Sequence, residues 1–314
     1  MTLSVALCTY NGEAFLTAQL ESILQQTLPV QEIVVCDDGS TDETLTILEV
    51  YKQQYPQLFR IFKNDINLGY TKNFEKAMYS CTGDLIITSD QDDIWMKNKV
   101  QRTLDFFKES PQFDAVFNDL QIVNTSLEVT EGSYLHWKNI SYESLLEKIE
   151  EKDLFVYLLR KGCFVLGCAM ALKRRALAEY DLKNFTSGHD YYIAQKLSFK
   201  NKLGFIPETL SLYRQHTHQV CGLLDINGGE NKIAVQDSRK AYFNGLVGPY
   251  ISAVRRAKDL FPHENIEQTE LYSKFISKRN LYLRSLSFME RKKFIAQSIR
   301  FKYLNLTLRD FLTL

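Results

Sequence analysis

Predominantly apolar residues come in short runs along the first 120 positions, and each run stops at a turn. Leu3–Cys8, Glu32–Cys36, Leu58–Phe62, Leu85–Thr88 and Ala115–Phe117 are such runs. Continuous apolar stretches bounded by Gly, Asn or Asp read as strands buried on both faces. Between them the period changes. Phe15, Leu16, Leu20, Ile23 and Leu24 recur at helical spacing until Pro29. Ser40 and Glu43 have capping-box spacing, which predicts a helix through Leu45, Leu48 and Tyr51. Further helices are predicted over 71–80 and 97–108. Strands alternating with helices on short connections predict an α/β fold, a mostly parallel sheet flanked by helices.

The second half is less regular. Residues 124–160 are polar and predict loop plus helix. Phe164–Leu172 is apolar and reads as buried, and His189–Phe199 reads as a helix. Lys202–Leu212 reads as short strands around Pro207. Gly222–Glu230 carries three glycines and Asn227, the composition of a loop or hinge. Beyond Asn231 the pattern is helical to the end.

The 314 residues are 45% hydrophobic and 24% charged, a globular composition. Formal charge is +0, which gives no reason to expect a nucleic-acid partner. The balance conceals an asymmetry. Residues 274–314 hold ten Lys or Arg against Glu290 and Asp310, so this stretch carries +8 and the remainder −8. Six cysteines form no CxxC pair. Leu3–Cys8 is too short, and lacks the basic flanks, to be a secretory leader. No stretch reaches the ~20 apolar residues of a membrane span. The expected setting is a reducing cytoplasm.

Candidate chemistry gathers after the strands. Ser89-Asp90-Gln91-Asp92-Asp93 directly follows the apolar run at 85–88. Three neighbouring carboxylates repel one another unless a cation joins them, and Mg²⁺ or Mn²⁺ takes such oxygen ligands beside phosphates. A solvated acidic turn is the plain alternative. Thr9–Gly12 and Asp37–Ser40 also end strands, so a parallel sheet brings Tyr10, Asp37, Asp38, Asp90, Asp92 and Asp93 to one crevice. Tyr10 offers a flat face to a base. Asp38 can accept a hydrogen bond from a ring N–H, or can simply form a turn. After the third strand come Asn67, Lys72 and Asn73. Lys72 suits either a phosphate or a solvated helix face.

As a set, Cys8-Thr9-Tyr10-Asn11-Gly12, Cys36-Asp37-Asp38-Gly39-Ser40-Thr41-Asp42, Asn67-Leu68-Gly69 and Asp90-Gln91-Asp92-Asp93-Ile94-Trp95 resemble the GT-A glycosyltransferases of family 2. The likeness covers roughly residues 1–120. The Asp-Gln-Asp-Asp-x-Trp form is similar to the bacterial surface-polysaccharide branch, including rhamnosyltransferase-like members. The resemblance implies nucleotide-sugar contacts at Thr9, Tyr10, Asn11, Asp37, Asp38, Asn67, Lys72, Asp90 and Gln91. It implies a divalent metal, Mn²⁺ or Mg²⁺, at Asp92. It puts a general base at Asp190, in Gly188-His189-Asp190-Tyr191, where the plain alternative is a helix N-terminal charge. Tyr213-Arg214-Gln215-His216 resembles the family's Arg-x-His segment, implying Arg214 at diphosphate or acceptor and His216 as a metal ligand.

The function implied is inverting transfer of a hexosyl residue from a UDP- or dTDP-linked sugar to a surface glycan or lipid-linked saccharide. No Gln-x-x-Arg-Trp segment is present, which favours single-sugar transfer over polymerisation. The organisation expected is a catalytic domain over 1–225, with a nucleotide-sugar half (1–120) and an acceptor half (121–225), then a helical region over 226–314. Basic residues 274–314 suit an anionic lipid surface, hence the inner membrane face, or equally a helix packed on the protein. Two other classes compete: a sugar-nucleotide-binding protein without a base, and a metal-dependent phosphohydrolase or nucleotidyltransferase with no acceptor. A Rossmann dehydrogenase lacks its G-x-G-x-x-G.

Overall fold

The computed structural model describes residues 1–183, 185, 187–217, 219 and 245–286. Its elements run β1 (Leu3–Thr9), α1 (Leu16–Leu24), β2 (Glu32–Asp37), α2 (Thr44–Gln54), β3 (Phe59–Lys63), α3 (Tyr70–Ser80), β4 (Leu85–Ser89), β5 (Ile94–Trp95) and α4 (Lys99–Glu109). Then come β6 (Ala115–Val123), β7 (Val129–Glu131), α5 (Tyr134–Trp137), α6 (Tyr142–Glu150), α7 (Leu154–Lys161), β8 (Met170–Lys173), α8 (Ala176–Glu179), α9 (His189–Phe199) and β9 (Leu203–Arg214). Helices α10 (Gly248–Leu260) and α11 (Glu270–Ser285) close the described chain.

The chain forms two compact units: Met1–Leu154 with Cys163–Gly228, and Phe155–Gly162 with Gly229–Leu314. The first contains one mixed sheet in the order β3-β2-β1-β4-β8-β6-β9-β5, with β7 on β6. Strands β1 to β4 pair in parallel. Every residue of β1, β2 and β4 is buried, as expected where helices cover both faces. On one face Val5, Leu7, Ile33, Val35 and Ile87 pack with Leu16, Leu20 and Ile23 of α1, Leu48 of α2 and Phe107 of α4. Full burial of such a side chain is worth roughly 1.5–3 kcal/mol, so this layer holds the strand ends in place.

The mostly parallel sheet is as expected, and two local expectations change. Strand β8 lies antiparallel between β4 and β6, so the sheet is not wholly parallel. The segment around Pro207 is one strand with an irregularity: Asn118 pairs with Ile206 but Asp119 with Thr209. A proline cannot donate to a ladder, and the shift in register takes it out of the pairing. The capping box fails. The cap of α2 is Glu43 without a side-chain bond, because Ser40 Oγ donates to Asp37 Oδ2 at 2.5 Å.

In the second unit α10 and α11 pack together. Ala253 and Ala257 of α10 and Phe275 and Leu283 of α11 are buried. Thr269 Oγ1 caps α11, accepting from Tyr272 N at 3.3 Å. The loop expected over 222–230, and the basic positions beyond 286, lie outside the described residues. No described helix is long and apolar enough to cross a membrane.

Candidate active site

Strand order reverses between β1 and β4, with β2 on one side and β8 on the other, and loops leaving such a switch point part to open a crevice. There the first unit has a cleft of about 360 Å³. Thr9, Tyr10, Asp38, Asn67, Asp90, Gln91, Asp92 and Asp190 all line it. Phe74, Leu166 and Tyr213 add apolar and aromatic surface to the lining.

Tyr10 is 47% exposed, and its backbone is held rather than its ring. Gln91 clasps it: Tyr10 N donates to Gln91 Oε1 at 2.8 Å, and Gln91 Nε2 donates to Tyr10 O at 3.0 Å. A Cβ on Gly12 would come within 2.1 Å of Gln91 Oε1, so the clasp requires glycine there. Asp38 is a hub. Its carboxylate accepts from Asn64 Nδ2 at 2.7 Å, Leu68 N at 2.8 Å and Gly69 N at 2.9 Å, which shapes the 64–69 loop. Lys76 Nζ donates to Asn64 Oδ1 at 2.6 Å, and Asn73 Nδ2 to Cys36 O at 2.8 Å, bracing that hub from α3.

The acidic loop is crowded. Burial, then the charges of Asp92, Asp93 and Asp190, push the Asp90 carboxyl well above its usual range. Burial and then Asp92 push Asp93 up to about 7. Carboxylate oxygens of Asp90 and Asp93 and the Cys168 thiol sulfur lie within 4.8 Å of one another. The thiol is itself pushed well above its ordinary value by burial and by these acids, so it is a poor ligand. Asp93 Oδ2 is buried without a hydrogen-bond partner among the described residues. Asp92 Oδ2 stands 2.8 Å from His216 Nε2, and that imidazole packs on Phe15 at 4.6 Å between centroids. Lys99 is fully buried, and burial pulls its ammonium down to about 8.

Asp190 sits in the first turn of α9. Its Oδ2 accepts from Gly167 N at 3.2 Å and its Oδ1 from Tyr191 N at 2.7 Å. Beside it His189 is 3% exposed and stacks on Phe74 at 4.0 Å, and neither ring nitrogen has a hydrogen-bond partner among the described residues. Burial lowers its pKa, keeping it neutral.

With this geometry in view, the likenesses to known proteins are specific. The family described as Glycosyl transferase family 2 matches residues 4–181. The chain belongs to that family. RfbG of Shigella flexneri, named a dTDP-rhamnosyl transferase, is 28% identical over 229 residues, covering 69% of this chain and 73% of that one. An uncharacterized protein of Mycobacterium tuberculosis is 24% identical over 222 residues, 69% of this chain, and the match spans only 60% of that protein's length. Among solved structures, TarS 1–349 of S. aureus in complex with UDP aligns with TM-score 0.56 at 18% identity, over 94% of this chain and 78% of that one. That likeness establishes the fold.

Not every residue singled out in this family 2 chain reaches the cleft. Asp37 turns inward, accepting from Thr9 Oγ1 at 2.9 Å and Ser40 N at 2.9 Å, so its oxygens shape the turn. Asn11 ties loops together, its Oδ1 accepting from Thr41 N at 2.9 Å. Lys72 pairs with Glu75 at 3.0 Å along α3 and does not line the cleft. Arg214 is 4% exposed and faces the protein. It donates from Nε to Asp92 O and from Nη1 to Thr125 O, both at 2.8 Å, over the Phe15 ring. A guanidinium so engaged supports the acidic loop and is not presented to a diphosphate. Asn64, Lys76, Lys99 and His189 were missed. Asn64 and Lys76 flank the Asn67-Leu68-Gly69 segment, a hint of polar bracing. His189 adjoins Asp190 in sequence. Nothing local marks Lys99.

Proposed function

We propose that the chain transfers one hexosyl residue from a nucleoside-diphosphate sugar, UDP- or dTDP-linked, to a hydroxyl of a bacterial surface glycan or lipid-linked precursor, inverting the anomeric centre. The observation that carries this reading is the meeting of Tyr10, Asp38, Asp90, Asp92 and Asp190 in one cleft, drawn from four separate segments. The likeness to RfbG, named a dTDP-rhamnosyl transferase, and to TarS in complex with UDP supports a nucleotide-linked donor.

The exposed Tyr10 ring is the stacking face for the base. Asp38 Oδ2 accepts one N–H and keeps capacity for a second, from the base. Asp190 takes the proton from the acceptor hydroxyl as that oxygen attacks the anomeric carbon, an assistance typically worth ~10²–10⁴-fold. Two oxygen or nitrogen ligands at right angles on an octahedral ion of the Mg²⁺ type stand about 3 Å apart. The 2.8 Å between Asp92 Oδ2 and His216 Nε2 suits that spacing, so these two side chains would hold Mn²⁺ or Mg²⁺. A bound divalent ion would supply positive charge for the departing diphosphate.

The test uses UDP-, dTDP- and GDP-linked hexoses with Mn²⁺ and a saccharide acceptor panel. Asp190→Asn is expected to lose transfer by ~10²–10⁴-fold while nucleotide affinity changes little. Equal loss of both removes Asp190 from the base role. Release of phosphate or pyrophosphate with no glycosylated product would favour a hydrolase or nucleotidyltransferase. Basic residues 274–314 are the candidate contact with anionic lipid at the inner membrane face. Co-sedimentation with anionic vesicles is expected to fall when residues 287–314 are removed.

A further inference from the structure

The least expected polar group in the first unit is Lys99, the first residue of α4. It is 1% exposed. Its ammonium donates to Cys168 O at 2.7 Å and to Ser211 Oγ at 2.7 Å, and lies 4.6 Å from the Trp95 ring centroid. All three of these partners are formally neutral. A buried charge is costly unless an opposite charge compensates it, and hydrogen bonds to neutral groups do not supply one.

The acids of the 90–93 loop supply the opposite charge. Lys99 interacts electrostatically with Asp93 and Asp90. Cys168, whose carbonyl Lys99 holds, places its sulfur within the same 4.8 Å cluster as their carboxylates. Arg214 is a second cation acting on the loop. Its N–H groups go to the Asp92 and Thr125 carbonyls, and its backbone N donates to Asp93 Oδ1 at 3.2 Å. Asp93 Oδ2, by contrast, is buried with no hydrogen-bond partner among the described residues, the neutral Cys168 thiol being the side chain that acts on this carboxyl. The three attachments of Lys99 also belong to three segments that enclose the acidic loop: β5 through Trp95, β9 through Ser211, and the turn before β8 through Cys168.

We infer that Lys99 is a built-in counter-cation for the 90–93 loop, a positioning residue that lets the acids gather before any divalent ion arrives and that opposes the binding of that ion. This rests on the reading of the cleft as a metal–diphosphate site. The two parts carry separate tests. A residue that served only as a tether would be indifferent to the charge on Asp93. A counter-cation is not, and its removal leaves the loop more negative and more attractive to Mn²⁺.

Thermal unfolding in EDTA and titration with Mn²⁺ alone, on the full chain, decide the matter. In EDTA, Lys99→Met is expected to lower Tm, and Asp93→Asn in the same molecule is expected to recover part of the loss. If K99M does not fold, a folded double variant is the supporting result. A double variant no more stable than K99M, or equally unfolded, overturns the inference. In the titration K99M, or K99Q should K99M not fold, is expected to bind Mn²⁺ roughly tenfold more tightly than the wild type, with Lys99→Arg close to wild type. Unchanged or weaker binding by the charge-removing variant overturns it. If no variant and no wild-type protein binds Mn²⁺, the metal reading of the cleft falls, and the EDTA comparison still decides the role of Lys99.

Discussion

His216 and Asp92, 124 positions apart in sequence, meet at 2.8 Å through Nε2 and Oδ2. Neither strand β4 nor β9 alone would bring them together, since the two strands are separated in the sheet by β8 and β6. His216→Ala is expected to weaken the Mn²⁺-dependent part of nucleotide binding by at least the roughly 10–100-fold that loss of a ligand's outer partner costs. Calorimetric titration of UDP and dTDP with and without Mn²⁺ measures it. A variant with wild-type metal dependence would leave His216 only a packing role against Phe15.

A Cβ built on Gly188 lies 2.7 Å from Asp190 Oδ1 and 3.3 Å from the Tyr70 hydroxyl. Gly188→Ala is therefore expected to displace the proposed base without touching Tyr10 or Asp38. Misplacement of a reacting group by about 1 Å can cost ~10²-fold, and kcat should fall on that scale. Nucleotide affinity should stay near the wild-type value. Loss of affinity with kcat preserved would contradict the division of labour between Asp190 and the base-binding loops.

Gly12→Ala drives a methyl into Gln91 Oε1 and so opens the clasp on Tyr10. Two hydrogen bonds are lost, each worth roughly 0.5–1.5 kcal/mol net. Nucleotide affinity should drop about tenfold, the equivalent of 1.4 kcal/mol. Gln91→Ala should do the same, and the double variant should be no worse than either single one. Additive losses would mean that Gly12 and Gln91 act separately.

Stability should respond to pH through His189. Its folded-state pKa is lowered by burial from the ordinary 6.5, so the unfolded chain binds the proton more readily. Its contribution is complete above 6.5 and is lost as pH falls from there through the lowered folded-state value. Tm should therefore decline with acidification in this range, and His189→Phe should flatten that part of the profile. An equally steep decline in the variant would assign the effect to other groups.

The sequence carried the sheet's first four strands because each is an apolar run between turns, and parallel strands deliver their loops to one edge. For that reason Tyr10, Asp38, Asp90 and Asp92 could be gathered without coordinates, whereas Asp190 entered only through the family resemblance. Direction was not legible in the second half: 164–172 is visibly apolar, but nothing in it tells an antiparallel β8 from a parallel strand. Side chains that point inward were misjudged. Asp37 and Arg214 have the chemistry of ligand-binding groups, yet the turn at Ser40 and the carbonyls of Asp92 and Thr125 occupy them. Lys99 shows the reverse error. A lysine opening a helix after Asn98 looks like solvent-facing surface, and only the meeting of β5, β9 and the turn before β8 buries it.

Arg214 also works as a linkage. One guanidinium joins the peptide of Asp92 to that of Thr125, so the segment beyond β6 and the acids beyond β4 share a single brace at the end of β9. A shift of Arg214 would be felt at Asp92 before any part of a donor was touched.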